Sequence, residues 1–302
     1  MWTGRDTYRI DLLVLQASSF CNIDCAYCYV AHRDRRRRMD DATLARVAER
    51  IVPSAFAADA LSIVWHAGEP LALPVDWMDR ACARLSAAAR PGQRLSFVVQ
   101  TNATLIDNDW IALFRRHDVR VGVSVDGPRD LHDRNRRTRS GAGTFDRAMA
   151  GIERLRAGGI PFDAIAVLTR PALERPDDLF AFFAALGPAT LGFNLEEIEG
   201  TNRSSSLADA DARAAYRAFL GRFLSRHAEA GGPFRLRALE QMRQALDGRR
   251  AAPGNDPGRP LSILTVGVDG GMSTFSPELL GTRDPAFDDF VFATLEEGGP
   301  AD

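Results

Sequence analysis

The stretch IDLLVLQASSFCNIDCAYCYV, residues 10–30, sets the terms for everything after it. Ile10 to Gln16 is a short, apolar, β-rich run and reads as a strand. The polar loop that follows holds Cys21, Cys25 and Cys28. Elsewhere the chain has a single cysteine, Cys82. A sequence so sparing with thiols places three together directly after its first strand, so the loop's chemistry has to be read against the rest of the chain.

Outward from this loop the sequence alternates. Helical patterns are expected over Met39–Ile51, Val75–Ala89, Asn108–His117, Thr144–Arg156 and Pro176–Leu186, with Asp40 or Asp41 as the first N-cap. Strand patterns are expected over Leu61–Trp65, Leu95–Gln100, Val121–Val125, Phe162–Leu168 and Leu191–Leu195. Six β–α repeats with short connections predict an α/β fold: a parallel sheet wrapped by helices, as a barrel or a fraction of one. Short apolar runs do not separate the two. In both, the chemistry lies just after the strands, where this chain keeps its polar and glycine-rich motifs.

After Gly200 the rhythm changes. Helices are expected over Ala208–Ala228 and Leu236–Leu246, then a Gly/Pro/Arg linker over Arg249–Pro260. A hairpin is expected from Leu261–Val268 and Met272–Phe275 around Asp269-Gly270-Gly271. The acidic stretch from Ser276 should wrap the domain. The expected division is a barrel over residues 1–200 and a C-terminal extension over 201–302.

Composition narrows the function. A net charge of −2 offers no basic field for nucleic acid or a membrane surface. There is no signal-peptide layout and no apolar run of membrane-spanning length, so a reducing cytoplasm is expected. All 38 basic residues are arginine, which excludes a lysine Schiff base and a P-loop lysine. The clustered cysteines do not resemble a secreted disulfide framework.

Several chemistries use three such thiols. As small hydrophobes of a buried loop they would have no reason to cluster. Zinc wants a fourth ligand, here His32 or His66, and usually paired knuckles. A redox pair of Cys25 and Cys28 leaves Cys21 unexplained. An iron–sulfur site uses all three: four irons normally take four thiolates, so three leave one iron open to a small-molecule ligand.

Cys21-x3-Cys25-x2-Cys28, with Tyr27 before the last cysteine, resembles the signature of the radical S-adenosylmethionine (radical SAM) superfamily. Other motifs agree in order: Ala67-Gly68-Glu69-Pro70 resembles its GGEP turn, and Gln100 to Leu105 its QTNGTL segment. Ser124 to Pro128 with His132-Asp133-x2-Arg136 resembles its S-x-DGP…HDxxR run, and Gly143 to Asp146 its GTFD. The resemblance implies a partial (β/α)6 radical SAM barrel with one [4Fe-4S] cluster held by Cys21, Cys25 and Cys28. The open iron would chelate S-adenosylmethionine, whose reductive cleavage gives a 5′-deoxyadenosyl radical that abstracts hydrogen from the substrate. It further implies that Gly68, Glu69 and Pro70 meet the methionyl amino group, with Glu69 also anchoring the turn. Ser124 and Arg136 would meet the methionyl carboxylate, with Arg134, Arg137 and Arg139 as neighbours of the same type. Asn102 would reach the ribose, and Tyr27 and Asp126 belong to the cofactor-binding set. His66 and His132 are read as ordering their loops.

Within the superfamily these motifs resemble the peptide- and protein-modifying maturases, whose SPASM or twitch extensions carry auxiliary-cluster cysteines. This chain departs from them: no cysteine follows Gly200, and Phe275 or Ser276 stands where the first would be expected. Phe193 to Gly200 and Met272 to Gly281 resemble segments of cyclophane-forming maturases, which join an aromatic ring carbon to a side-chain β-carbon. Glu196 and Glu197, with Glu199 and Glu278 behind them, are the candidate catalytic bases for the ring proton; the alternative is a solvated rim that pairs with arginines. The implied partners are a precursor peptide, an external electron donor such as flavodoxin or ferredoxin, and a separate leader-recognition protein, since few residues precede the first strand. The arginines of Arg33 to Arg38 make a solvated face or a docking site for an acidic donor or leader. Other readings are peptide epimerisation, formylglycine-type oxidation and, outside enzymes, a metal-binding partner subunit.

Overall fold

The computed structural model describes residues 8–247, 261–274, 279 and 284–296. The alternating apolar runs become β1 (Ile10–Leu15), β2 (Ile23–Cys25), α1 (Asp41–Arg46, continuing as a π-turn over Val47–Ile51), β3 (Ala57–Trp65), α2 (Val75–Ala87) and β4 (Arg94–Thr101). Next come α3 (Asn108–Arg116), β5 (Arg120–Ser124), α4 (Arg129–Asn135), β6 (Arg136–Thr138), α5 (Phe145–Ala157), β7 (Phe162–Leu168), α6 (Arg170–Leu173), α7 (Pro176–Leu186) and β8 (Thr190–Leu195). The chain continues through α8 (Ala212–Glu229), β9 (Arg235–Leu236), α9 (Arg237–Leu246), β10 (Ile263–Val266), β11 (Gly271–Thr274) and β12 (Ala293–Thr294).

Ten strands form one sheet in the order β12-β11-β10-β1-β3-β4-β5-β7-β8-β9, in which β1, β3, β4, β5, β7 and β8 pair in parallel. This is the expected α/β partial barrel of six β–α repeats. The strand residues explain its two faces. In β7, Phe162, Ala164, Ala166 and Leu168 are buried, whereas Asp163, Ile165 and Val167 are half-covered. The period of two sends the first set into the helix layer and the second into the barrel interior. The helix layer holds the main core, including Trp65, Trp77, Phe183, Phe219 and Phe223. Phe193 of β8 meets Phe223 of α8 edge-on, with ring centroids 5.0 Å apart, so α8 is stapled to the barrel by aromatic packing.

Strands from beyond Gly200 lie at both edges. Leu12↔Ile263 to Leu15↔Val266 pair β10 in parallel with β1, and the expected hairpin closes through Leu264↔Thr274 to Val266↔Met272. The acidic stretch returns as β12 on β11. Arg249–Pro260, Phe275, Ser276 and Glu278 lie outside the described residues. Asp40 is the N-cap of α1, its carboxylate accepting from Thr43 N at 2.7 Å. α8 starts four residues later than expected, at Ala212. Ser205 and Asp209 turn their oxygens onto Leu207 N and Asp211 N, each at 3.0 Å, which competes with helix. The arginines of 33–38 are partly occupied: Arg33 pairs with Asp24 at 2.8 Å, and Arg36 lies over the Phe20 ring at 4.6 Å. No helix of the described residues is long and apolar enough to cross a membrane.

One contact ties the helix layer to the loop after β4. A Cβ at Gly151 in α5 would lie 2.0 Å from the carbonyl oxygen of Ala103. Glycine to alanine in an open helix stabilises by up to about 1 kcal/mol. Here the clash reverses the sign. Gly151→Ala should cost about 1–3 kcal/mol, read as a lower midpoint in urea unfolding; a raised midpoint would show that the loop does not pack as described.

Candidate active site

The loop after β1 is pinned from four directions. Cys21 N donates to Arg33 O at 2.9 Å, Glu69 N to Phe20 O at 2.8 Å, and Ala26 N to Asn135 O at 2.9 Å. The short ladder of β2 with β6 puts Cys25 opposite Arg136. All three thiols border one cavity of about 510 Å³, together with Gly68, Ser124, Arg136 and Glu197. Among the described residues no three His, Cys, Asp or Glu converge on a single-ion site. Burial pushes the Cys25 thiol up to about 12, opposed by the Arg136 guanidinium, and raises Cys21 as well, with the Glu69 carboxylate adding to it. Loading metal here must therefore release protons.

Beneath Cys25 lies a buried carboxylate. Asp126, at the end of β5, accepts from Arg136 Nη2 and from Val167 N, both at 3.0 Å through Oδ1, and from the Tyr27 hydroxyl through Oδ2. Arg136 also lies over the Tyr27 ring at 5.6 Å and reaches Cys25 Sγ at 3.9 Å through Nη1. Its Nε is buried without a partner among the described residues. Burial, with the Asp126 charge beside it, raises Tyr27 well above its ordinary value.

A second buried carboxylate works on the other side. Glu69 Oε1 accepts from Leu71 N at 3.0 Å and from the Thr101 hydroxyl at 2.6 Å, and Oε2 accepts from Asn102 N at 2.8 Å. It thus anchors its own turn and ties the loops after β3 and β4 together. Gly68 sits at φ +68°, and a Cβ there would lie 2.5 Å from Ser18 O. No side chain fits between this turn and the cysteine loop. Ala67 and Ala103, where the motifs carry glycine, both hold φ 63°. The Asn102 amide is engaged: it donates to Asn22 Oδ1 at 2.8 Å and accepts from Thr104 N at 3.0 Å. Asn22 gave no signal beyond its place among the cysteines.

Ser124 Oγ accepts from Gln100 Nε2 at 2.9 Å and so keeps its own proton to donate. His66 lines the cavity with Nδ1 buried and unpartnered among the described residues, and desolvation lowers it to about 4. The two acidic candidates separate. Glu196 is held by Ser206 N at 2.7 Å and by the Ser206 hydroxyl. Glu197 is exposed at the cavity mouth, and its carboxylate has no hydrogen-bond or ionic partner among the described residues.

His132 is buried. Its Nε2 lies 3.1 Å from Thr144 Oγ1 and its Nδ1 accepts from Asp126 N at 3.5 Å. Desolvation and then Arg136 lower it to about 4, against the pull of Asp126 and Asp133. Between pH 6.5 and 4 the unfolded chain therefore binds the extra proton. The contribution is complete above about 6.5 and is lost as pH falls through about 4. Urea unfolding should show stability falling across this window by on the order of 1 kcal/mol per pH unit, with a flatter profile in His132→Gln; equal slopes would place the titration elsewhere.

The comparisons with known proteins agree with this geometry. The model of the radical SAM superfamily matches residues 15–198. The chain is 36% identical over 289 residues to an uncharacterized protein of Synechocystis sp., sll1766, covering 94% of this chain and 73% of that one. It is 31% identical over 178 residues to the serine-type anaerobic sulfatase-maturating enzyme of Bacteroides thetaiotaomicron, covering 57% of this chain and 42% of that enzyme. The chain thus spans less than half the length of that relative. Among solved structures it resembles anSMEcpe with bound AdoMet (TM-score 0.80, 20% identity, 97% of this chain and 76% of that one). It also resembles Streptococcus suis SuiB bound to its precursor peptide SuiA (TM-score 0.65, 17% identity, 92% and 62%). At these identities the structural likeness is one of fold. The family match runs over more than half of the chain and takes in the strand ends that frame the cavity: the chain belongs to the radical SAM superfamily, whose enzymes work with a [4Fe-4S] cluster and S-adenosylmethionine.

Proposed function

We propose that this chain modifies a ribosomally made peptide, and that the reaction is a cyclophane-type crosslink between an aromatic ring carbon and a side-chain β-carbon. The observation that carries the reading is the pairing, across one cavity, of the three-cysteine loop with the unpartnered carboxylate of Glu197. The residues present fit the superfamily's cofactors. Cys21, Cys25 and Cys28 would hold the cluster. The Gly68–Pro70 turn offers backbone to an amino group. The free Ser124 proton and the orphaned Arg136 Nε supply donors for a carboxylate. Asp126, Tyr27 and Asn102 act as positioning residues, since their side chains are engaged within the protein. When bound, the cofactors supply hydrogen-atom abstraction from the substrate.

The chain's own part is to seat the peptide and to take up a proton. A ring that gains a carbon bond must lose a proton and one electron to regain aromaticity; the cluster, when bound, would supply the electron acceptor, and an exposed carboxylate at the cavity mouth suits the proton. Glu197 is that base in this reading. Glu196, one residue earlier, holds the Ser205–Ser206 turn in place. No cysteine follows Gly200 in the sequence, which favours a single cluster. The division at Gly200, the electron donor and a separate leader-recognition protein belong to the same proposal.

The sulfatase-maturating relatives favour a second reading, formylglycine-type oxidation of a protein side chain. Epimerisation has less support. It needs a hydrogen donor near the substrate, and the spare thiol, Cys82, is buried in α2 away from the cavity.

Reconstituted protein, incubated with S-adenosylmethionine, reductant and a candidate precursor peptide, should give a product lighter by a pair of hydrogens. Tandem mass spectrometry should place a ring-to-β-carbon bond in it. Glu197→Gln should slow product formation by about 10²-fold, and Glu196→Gln should chiefly lower stability. A new aldehyde would overturn the crosslink reading, and equal rates in both variants would overturn Glu197 as its base.

A further inference from the structure

Arg237, the first residue of α9, lies on the cavity side of the sheet and makes no ion pair among the described residues. The register fixes its place. Ile165 pairs with Gly192 and Val167 with Asn194, and paired residues share a face. Ile165, Val167 and Asn194 line the cavity. A Cβ at Gly192 would meet the Arg237 guanidinium carbon at 2.7 Å, so the guanidinium lies flat on the inner face one strand beyond Ile165. A side chain at Gly192 would displace it.

Its environment is unusual for an arginine. Nη2 donates to Asn194 Oδ1 at 2.6 Å and to Phe193 O at 3.4 Å. Both acceptors are neutral, and Nε and Nη1 have no partner among the described residues. Partial burial lowers its pKa, and no carboxylate among the described residues opposes the shift. It also stands at the start of a helix, where the dipole favours an anion over a cation. A half-buried cation without a counter-charge, two free donors and a fixed plane is the donor half of a bidentate carboxylate site.

We infer that Arg237 binds a carboxylate of the peptide substrate, an acidic side chain or the chain terminus, beside the residue presented to the cavity. The inference rests on the peptide reading above. Asn194 relays the placement, because it touches both Arg237 and the cavity.

The test uses the full reconstituted chain, immobilised anaerobically with S-adenosylmethionine and no reductant, so that nothing turns over. It is exposed to a random peptide pool, half with free C-termini and half amidated, and the retained peptides are sequenced. The wild type should enrich Asp and Glu about threefold or more at one offset from an aromatic residue, or the free-acid half over the amidated half. The first result assigns a side-chain source and the second a terminal one. Arg237→Gln should abolish the preference, and Arg237→Glu should transfer it to arginine and lysine, which a merely structural role would not do. Iron content and melting temperature should match the wild type in both. Peptides retained with no acidic preference, or a preference unchanged in Arg237→Gln, would overturn the inference alone. Retention of no peptide at all would overturn the peptide reading with it.

Discussion

The site depends on the buried Asp126 carboxylate. Four segments meet on it: the end of β5, Tyr27 of the cysteine loop, Arg136 at the start of β6 and the backbone of β7. A buried ion pair contributes little net stability over an apolar replacement, because desolvation offsets the attraction. Removing one partner is costly, which makes such a pair a device for fixing geometry. The geometry fixed here is the height of Cys25 above the strand ends, with the guanidinium behind its sulfur.

Glu69 does the matching work for Cys21. It spends both oxygens on the loops after β3 and β4, and its backbone N–H holds Phe20. The Gly68 contact with Ser18 then leaves no slack between turn and loop. The cysteine loop is thus suspended between two carboxylates, while the barrel-side faces of β7 and β8 stay half-covered and open. Rigid cysteines on one side and an open acidic edge on the other suit an enzyme that holds its cofactor tightly and accepts a chain from outside.

Much of this was legible in the sequence because it is local. The six strands show as short β-rich runs, and the motifs fall at their ends. What stayed hidden depends on long-range contacts. β2 and β6 are three residues each, with no periodicity, and exist because Asp126 brings Arg136 to Cys25. The parallel join of β10 to β1 links residues some 250 apart in sequence, which no local pattern predicts. Glu196 and Glu197 look alike as neighbours in one acidic run; only the fold shows one engaged with Ser206 and the other without a partner among the described residues. The contact of Asn102 with Asn22 likewise joins loops that no local pattern relates. Arg237 is one of many arginines in the sequence and is singled out only by the sheet register.

The central claim is that three thiolates hold a cluster with one position left for S-adenosylmethionine. Iron analysis of the anaerobically reconstituted chain, with assay of 5′-deoxyadenosine after reduction, tests it most directly. The expected result is about four irons per chain and formation of 5′-deoxyadenosine, both lost in Cys25→Ala. About one zinc per chain with no cleavage of S-adenosylmethionine would contradict it.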